Sequence, residues 1–200
     1  YVDGPAKSGN DYARQYVKKA KISTKCVKEM AFIDKAFESN APLPSPPAMI
    51  VIIDDFIGTG DSLSENLSKF YKRNGKSIKN ADIPLQVLVI SATQEGEEKV
   101  RKRLGKLDEN ADLTVCESLD QKHFAFGPEN KIWENQQKKT EAKELCQRLG
   151  STVTPRHPLG YRESGLLIVF HSNCPNNTLP ILHAKGTGAH KWTPLFERSM

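Results

Sequence analysis

The stretch Met49-Ile50-Val51-Ile52-Ile53-Asp54-Asp55-Phe56-Ile57-Gly58-Thr59-Gly60-Asp61-Ser62 constrains this chain more than any other. It begins as an unbroken apolar run rich in β-branched residues, without the alternation of a half-solvated strand. A parallel strand covered on both faces requires such a run. Two carboxylates follow, then a turn of small residues, then a helical pattern over Asp61–Arg73. In open α/β sheets ligands bind beyond the carboxyl ends of the strands, which is where Asp54 and Asp55 are expected to emerge. Gly58 and Gly60 let the backbone turn tightly and approach a ligand closely. Backbone N–H groups of Gly58 to Ser62, at the positive end of the helix, suit a phosphate, with the Thr59 and Ser62 hydroxyls as further donors. The segment reads as an anion cradle beside two carboxylates.

The flanking sequence continues the alternation of strand and helix. Helices are predicted over Asp11–Ile22 and Thr24–Phe37, and the prolines between Pro42 and Pro47 make a stiff, non-helical approach to the apolar run. Further on come a strand at Leu85–Ile90, a helix at Glu95–Leu107 and a strand at Leu113–Cys116. This order predicts an α/β fold with a mainly parallel, twisted sheet flanked by helices. Beyond Glu117 the pattern gives a polar loop with Phe124 and Phe126, a charged helix over Asn135–Leu149 and a strand at Leu166–His171. A length of 200 residues suits one domain. The opening Tyr1-Val2-Asp3 reads as the end of a strand already in progress, so an upstream segment is expected.

Composition excludes little. The net charge of +5 comes from Lys and Arg interleaved with Asp and Glu, the pattern of solvated helix faces. It favours phosphorylated ligands or a nucleic-acid partner without selecting between them. Lys18, Lys19, Lys21, Lys25 and Lys28 are read as a solvated face. Cys26, Cys116, Cys146 and Cys174 lack the paired spacing of a zinc site or a small disulfide scaffold, and are expected as free thiols. No apolar run spans a bilayer and no signal peptide opens the chain, so the expected location is cytoplasmic, with no membrane partner.

The segment from Met49 to Ser62 resembles the motif by which type I phosphoribosyltransferases bind phosphoribosyl pyrophosphate (PRPP): four apolar residues, two acidic, two apolar, any residue, Thr-Gly, any residue, Thr. Ser62 stands for the last Thr. The resemblance implies that Asp54 and Asp55 engage the ribose 2′ and 3′ hydroxyls, directly or through water on a Mg2+ ion, and that Gly58, Thr59, Gly60, Asp61 and Ser62 bind the 5′-phosphate. In oxopurine enzymes of the family the position of Gly58 is a catalytic Asp, so hypoxanthine and guanine are not expected as substrates. Asp61 adds a negative charge, expected to point outward to solvent. The opening Asp3-Gly4-Pro5-Ala6-Lys7-Ser8-Gly9 resembles the family's pyrophosphate loop. Lys7 would neutralise the leaving group, with Ser8 and Gly9 beside it.

The C-terminal third holds His157-Pro158-Leu159-Gly160-Tyr161, then Phe170 to Pro180, then Trp192 to Phe196. With this tail the chain is similar to divergent phosphoribosyltransferase-like domains of bacterial conflict systems, residues from about 118 onward forming a divergent part over the core and site. That likeness implies antiviral defence beside a partner such as a reverse transcriptase. Two readings stay open: a transferase or hydrolase that displaces pyrophosphate from ribose C1, and a non-catalytic module that senses PRPP or a nucleotide. Direct nucleic-acid binding ranks below both. For Asn173, Asn176 and Asn177 a polar turn fixed by Asx hydrogen bonds and a ligand contact remain equal alternatives. His171 is expected to be buried and satisfied, His157, His183 and His190 to be surface or packing residues, and Trp192–Phe196 to plug the core.

Overall fold

The computed structural model describes residues 8–37, 45–171, 173–186 and 192–196. Two compact units divide the chain, Tyr1–Ser118 and Leu119–Met200. In the first, α1 (Ser8–Lys19), a 3-10 turn (Thr24–Cys26) and α2 (Met30–Phe37) precede β1 (Ile50–Ile57), α3 (Asp61–Asn80), β2 (Leu85–Thr93), α4 (Gln94–Leu107) and β3 (Ala111–Leu119). The strands form one sheet in the order β1-β2-β3. β1 and β2 are parallel, with Ile50 opposite Leu85 and Ile57 opposite Ala92. On the other side of β2, Gln86 Nε2 donates to Thr114 Oγ1 at 3.1 Å and Ser91 Oγ to Glu117 at 3.4 Å. These contacts advance together along both strands, as parallel neighbours require. The α/β class expected from the alternation is the one observed.

The apolar core explains the order. α3 presents Leu63, Leu67, Phe70 and Ile78 at helical spacing, against Ile52 and Ile57 of β1 and Val87 and Val89 of β2. Val100 and Leu104 of α4 join the same cluster. Leu67 and Ile78 have no exposed surface, so each contributes its full transfer free energy, about 1.5–3 kcal/mol.

Several boundaries differ from the pattern in the sequence. The helix expected over Thr24–Phe37 is broken: Ser23 caps a short turn, and Val27 is extended with its N–H on the Thr24 carbonyl. α3 runs to Asn80 rather than Arg73, through Gly75, where an added Cβ would lie 3.0 Å from the Tyr71 ring. That glycine is a packing residue and not a stop. β1 continues through Ile57 because Phe56 and Ile57 pair with Ser91 and Ala92, which also carries β2 beyond Ile90. Asp54 and Asp55 therefore stand within β1, before its carboxyl end.

The second unit has fewer regular elements: a 3-10 turn (Gln121–His123), α5 (Gln136–Val153), another turn (Tyr161–Glu163) and α6 (Pro180–His183). Its buried cluster is Ala125, Cys146, Leu159 and Leu179. The strand expected over Leu166–His171 is absent; only Leu166 bridges, to Phe124 and to Thr178. The physical reason lies at Ile168, whose carbonyl accepts the Thr178 hydroxyl at 2.6 Å and the Cys174 thiol at 3.8 Å instead of a neighbouring N–H. His171 is exposed, contrary to the expectation of burial. His183 is buried, its ring nitrogen 3.2 Å from the Thr178 carbonyl. The plug expected at Trp192–Phe196 is partial: Trp192 Nε1 donates to the Ile181 carbonyl at 2.9 Å, but Leu195 and Phe196 are 76% and 48% exposed. All four cysteines are free thiols. No helix among the described residues is long and apolar enough to cross a membrane.

Candidate functional site

The loop from Gly58 to Gly60 joins β1 to α3. Its end is fixed by Gly60, at φ 72°, in the left-handed region that only glycine adopts at little cost. Gly60 is the N-cap of α3 and offers no side chain to the first turn. The first N–H groups of an α-helix have no intrahelical partner, so this end presents donors to an incoming anion. Ser62 is exposed in that turn, while Ser64, two residues on and buried, has an Oγ with no hydrogen-bond partner.

The acidic pair is split by the strand. Asp55 is buried, 6% exposed, and Asp54 is half-buried with its Oδ1 accepting the Asp55 N–H at 3.0 Å. Successive residues of a strand point to opposite faces, so the two carboxylates do not form one facing pair along β1. Ser8 and Gly9 open α1, with Gly9 buried, and α1 lies against β1. Lys7 lies outside the described residues, as do Asp3 to Ala6, Pro42 to Pro44 and His190.

The first residues of α4 hold the loop in place, which the sequence reading missed. Thr93, the N-cap of α4, donates its hydroxyl to the Gly58 carbonyl at 2.6 Å and accepts the Gly96 N–H at 3.1 Å. A Cβ on Gly96 would lie 2.1 Å from the Gly58 oxygen, and one on Gly60 would lie 2.7 Å from the Gly96 oxygen. Only two bare backbones fit there. One turn on, the Lys99 ammonium pairs with Asp61 Oδ1, while the Thr59 hydroxyl donates to Asp61 Oδ2 at 2.8 Å. Asp61 thus turns toward α4 rather than freely outward. Thr93, Gly96 and Lys99 recur at every third position, one helical face. The available signal was Gly96 itself: a glycine in the first turn of a helix weakens it and marks a close approach.

In the second unit the Asn173 side chain serves the backbone, while Asn177 takes part through its own main-chain carbonyl. Asn173 Oδ1 accepts the Cys174 N–H at 2.9 Å, an Asx-type contact. The Asn177 carbonyl accepts Ser164 Oγ at 2.7 Å and the Leu166 N–H at 3.1 Å. The buried Cys174 thiol donates to the Ile168 carbonyl at 3.8 Å, and His171 is exposed.

Among the described residues no three His, Cys, Asp or Glu side chains gather to hold a metal ion. Asp54 and Asp55 are hard oxygen donors, which fits Mg2+ held by one or two carboxylates together with substrate oxygens and water. A comparison with curated proteins finds no match. A family model does match, over residues 1–198, and by it this chain belongs to the PRTase-CE family and is a phosphoribosyltransferase-like protein.

Proposed function

We propose that the loop between β1 and α3 binds the 5-phosphoribosyl group of PRPP, and that the protein displaces pyrophosphate from ribose C1 as water or an acceptor nucleophile forms the new bond to that carbon. The observation that carries the reading is the loop itself: a left-handed glycine cap with no side chain over the first turn of α3, just past the end of the strand that carries Asp54 and Asp55. Backbone N–H groups of Gly58 to Ser62 hold the 5′-phosphate. The half-buried Asp54 carboxylate engages the ribose hydroxyls and stabilises positive charge as it develops on the ring, while the buried Asp55 carboxylate, on the other face of β1, adds negative potential from behind. Lys7, with Ser8 and Gly9, receives the departing pyrophosphate. Mg2+, when bound near Asp54 and Asp55, supplies neutralising charge to the diphosphate. Catalysis by this chain's own residues is positional and electrostatic, with C1 held between the phosphate anchor and the leaving group. A place in bacterial antiviral defence, beside a partner protein such as a reverse transcriptase, rests on the family resemblance.

Calorimetric titration with PRPP and Mg2+, alongside an assay for released pyrophosphate, tests the proposal. Binding that disappears in the Asp54→Asn, Asp55→Asn double variant supports the site, and pyrophosphate release supports the enzyme. Binding without release, in water and with nucleobases added as acceptors, favours a sensing module that uses the same loop. No binding at millimolar PRPP overturns the reading.

A further inference from the structure

The two side chains best placed to help the backbone hold a phosphate are already engaged. The Thr59 hydroxyl donates to Asp61 Oδ2 at 2.8 Å, and the Lys99 ammonium pairs with Asp61 Oδ1. A carboxylate oxygen and a phosphate oxygen accept the same donors, and both are strongest when the donor is charged. We propose that Asp61 is an internal competitor for the phosphate site: in the empty protein its carboxylate occupies the Thr59 hydroxyl and the Lys99 ammonium, and a bound 5′-phosphate takes both over. This inference rests on the phosphoribose reading of the loop and adds to it a device that sets affinity.

The geometry permits the exchange. The Lys99 side chain is 43% exposed and that of Asp61 33%, so the carboxylate turns to water without being buried unpaired. Lys99 is rooted beside the loop, its Cβ 3.3 Å from where a Cβ on Gly60 would stand. A short, flexible movement of the ammonium therefore reaches an anion on the first turn of α3. The dianion offers more charge and more acceptor oxygens than the carboxylate, and the backbone N–H groups hold it as well. The cost of displacing Asp61 lowers the apparent affinity, which keeps the site empty at low ligand concentration.

The test is titration of the unaltered protein and of Asp61→Asn, Thr59→Val and Lys99→Met with PRPP plus Mg2+ and with ribose 5-phosphate. Asp61→Asn keeps the shape of the side chain and removes the competing charge, so both ligands are expected to bind about tenfold tighter. Thr59→Val and Lys99→Met are expected to weaken both about tenfold, and Lys99→Met to do so in the Asp61→Asn background too. Unchanged or weaker binding by Asp61→Asn overturns the proposal, because Asp61 then helps to build the cradle. Loss of the Lys99→Met effect in that background also overturns it, since Lys99 would then serve only to neutralise Asp61. If the unaltered protein binds neither ligand, the phosphoribose reading falls and takes this inference with it.

Discussion

The two units of this chain reach order by different means. In Tyr1–Ser118 one apolar cluster runs through β1, α3, β2 and α4, and backbone pairing follows a regular register from Ile50–Leu85 to Ile57–Ala92. In Leu119–Met200 the buried cluster is Ala125, Cys146, Leu159 and Leu179, and side chains do much of what a sheet ladder does elsewhere. Thr178 satisfies Ile168, Asn173 caps Cys174, and Ser164 satisfies Asn177. A regular sheet tolerates exchange among apolar side chains that preserve volume, whereas a polar loop framework depends on individual atoms. The first unit is therefore expected to be sensitive to lost volume and the second to lost hydroxyls and amides.

The largest effect that sharpens this contrast is Phe70→Ala. Phe70 is 1% exposed in the main cluster, so the variant is expected to lose about 3–5 kcal/mol in denaturant unfolding. Next is Gly96→Ala, whose Cβ would press on the Gly58 oxygen and displace the loop. A shift of this size at a binding site is expected to weaken PRPP binding about 100-fold by calorimetry, with less change in the melting temperature. Thr178→Val tests the polar framework: it keeps volume but withdraws the donor from the Ile168 carbonyl, and about 1–3 kcal/mol of stability should be lost. If it is silent, the contrast between the units breaks.

Smaller effects concern two polar groups inside the first unit. Burial, and then the neighbouring Asp108 carboxylate, hold the Tyr71 phenol protonated well above its ordinary range. Its folded value lies above its unfolded one, near 10, so the associated stability is complete below pH 10 and lost as the pH rises above it. Melting curves between pH 9 and pH 11, as roughly the range around that value, should fall more steeply for the unaltered protein than for Tyr71→Phe. Ser64→Ala, which removes the buried unpartnered hydroxyl, is expected to raise stability by about 1 kcal/mol. A loss of ligand binding in that variant would instead connect Ser64 to the phosphate site.

How much was legible follows from where each signal resides. β1 and its loop were visible because burial on both faces writes itself as consecutive apolar residues, and because tight turns write themselves as glycine. The parallel sheet followed from alternation alone. The contacts of Thr93 and Lys99 with the loop were not visible, since they link residues more than thirty positions apart and a threonine and a lysine in a helix carry no intrinsic sign of what they face; Gly96 marks a close approach without naming its partner. Asp61 was expected to point to solvent for the same reason: its partner is supplied by another helix. The missing strand at Leu166–His171 shows the complementary error, in which apolar residues of the right type found their carbonyls claimed by side chains from further along the chain.

The contact between Gly60 and Gly96 has a mechanical consequence. With the backbone of α4 seated directly on the backbone of the loop, there is no side chain between them to absorb a displacement. A displacement of α4 is therefore passed to the Gly58 carbonyl without a side chain to cushion it. Packing of this kind fixes the position of the loop by the position of a helix axis rather than by the rotamers of side chains.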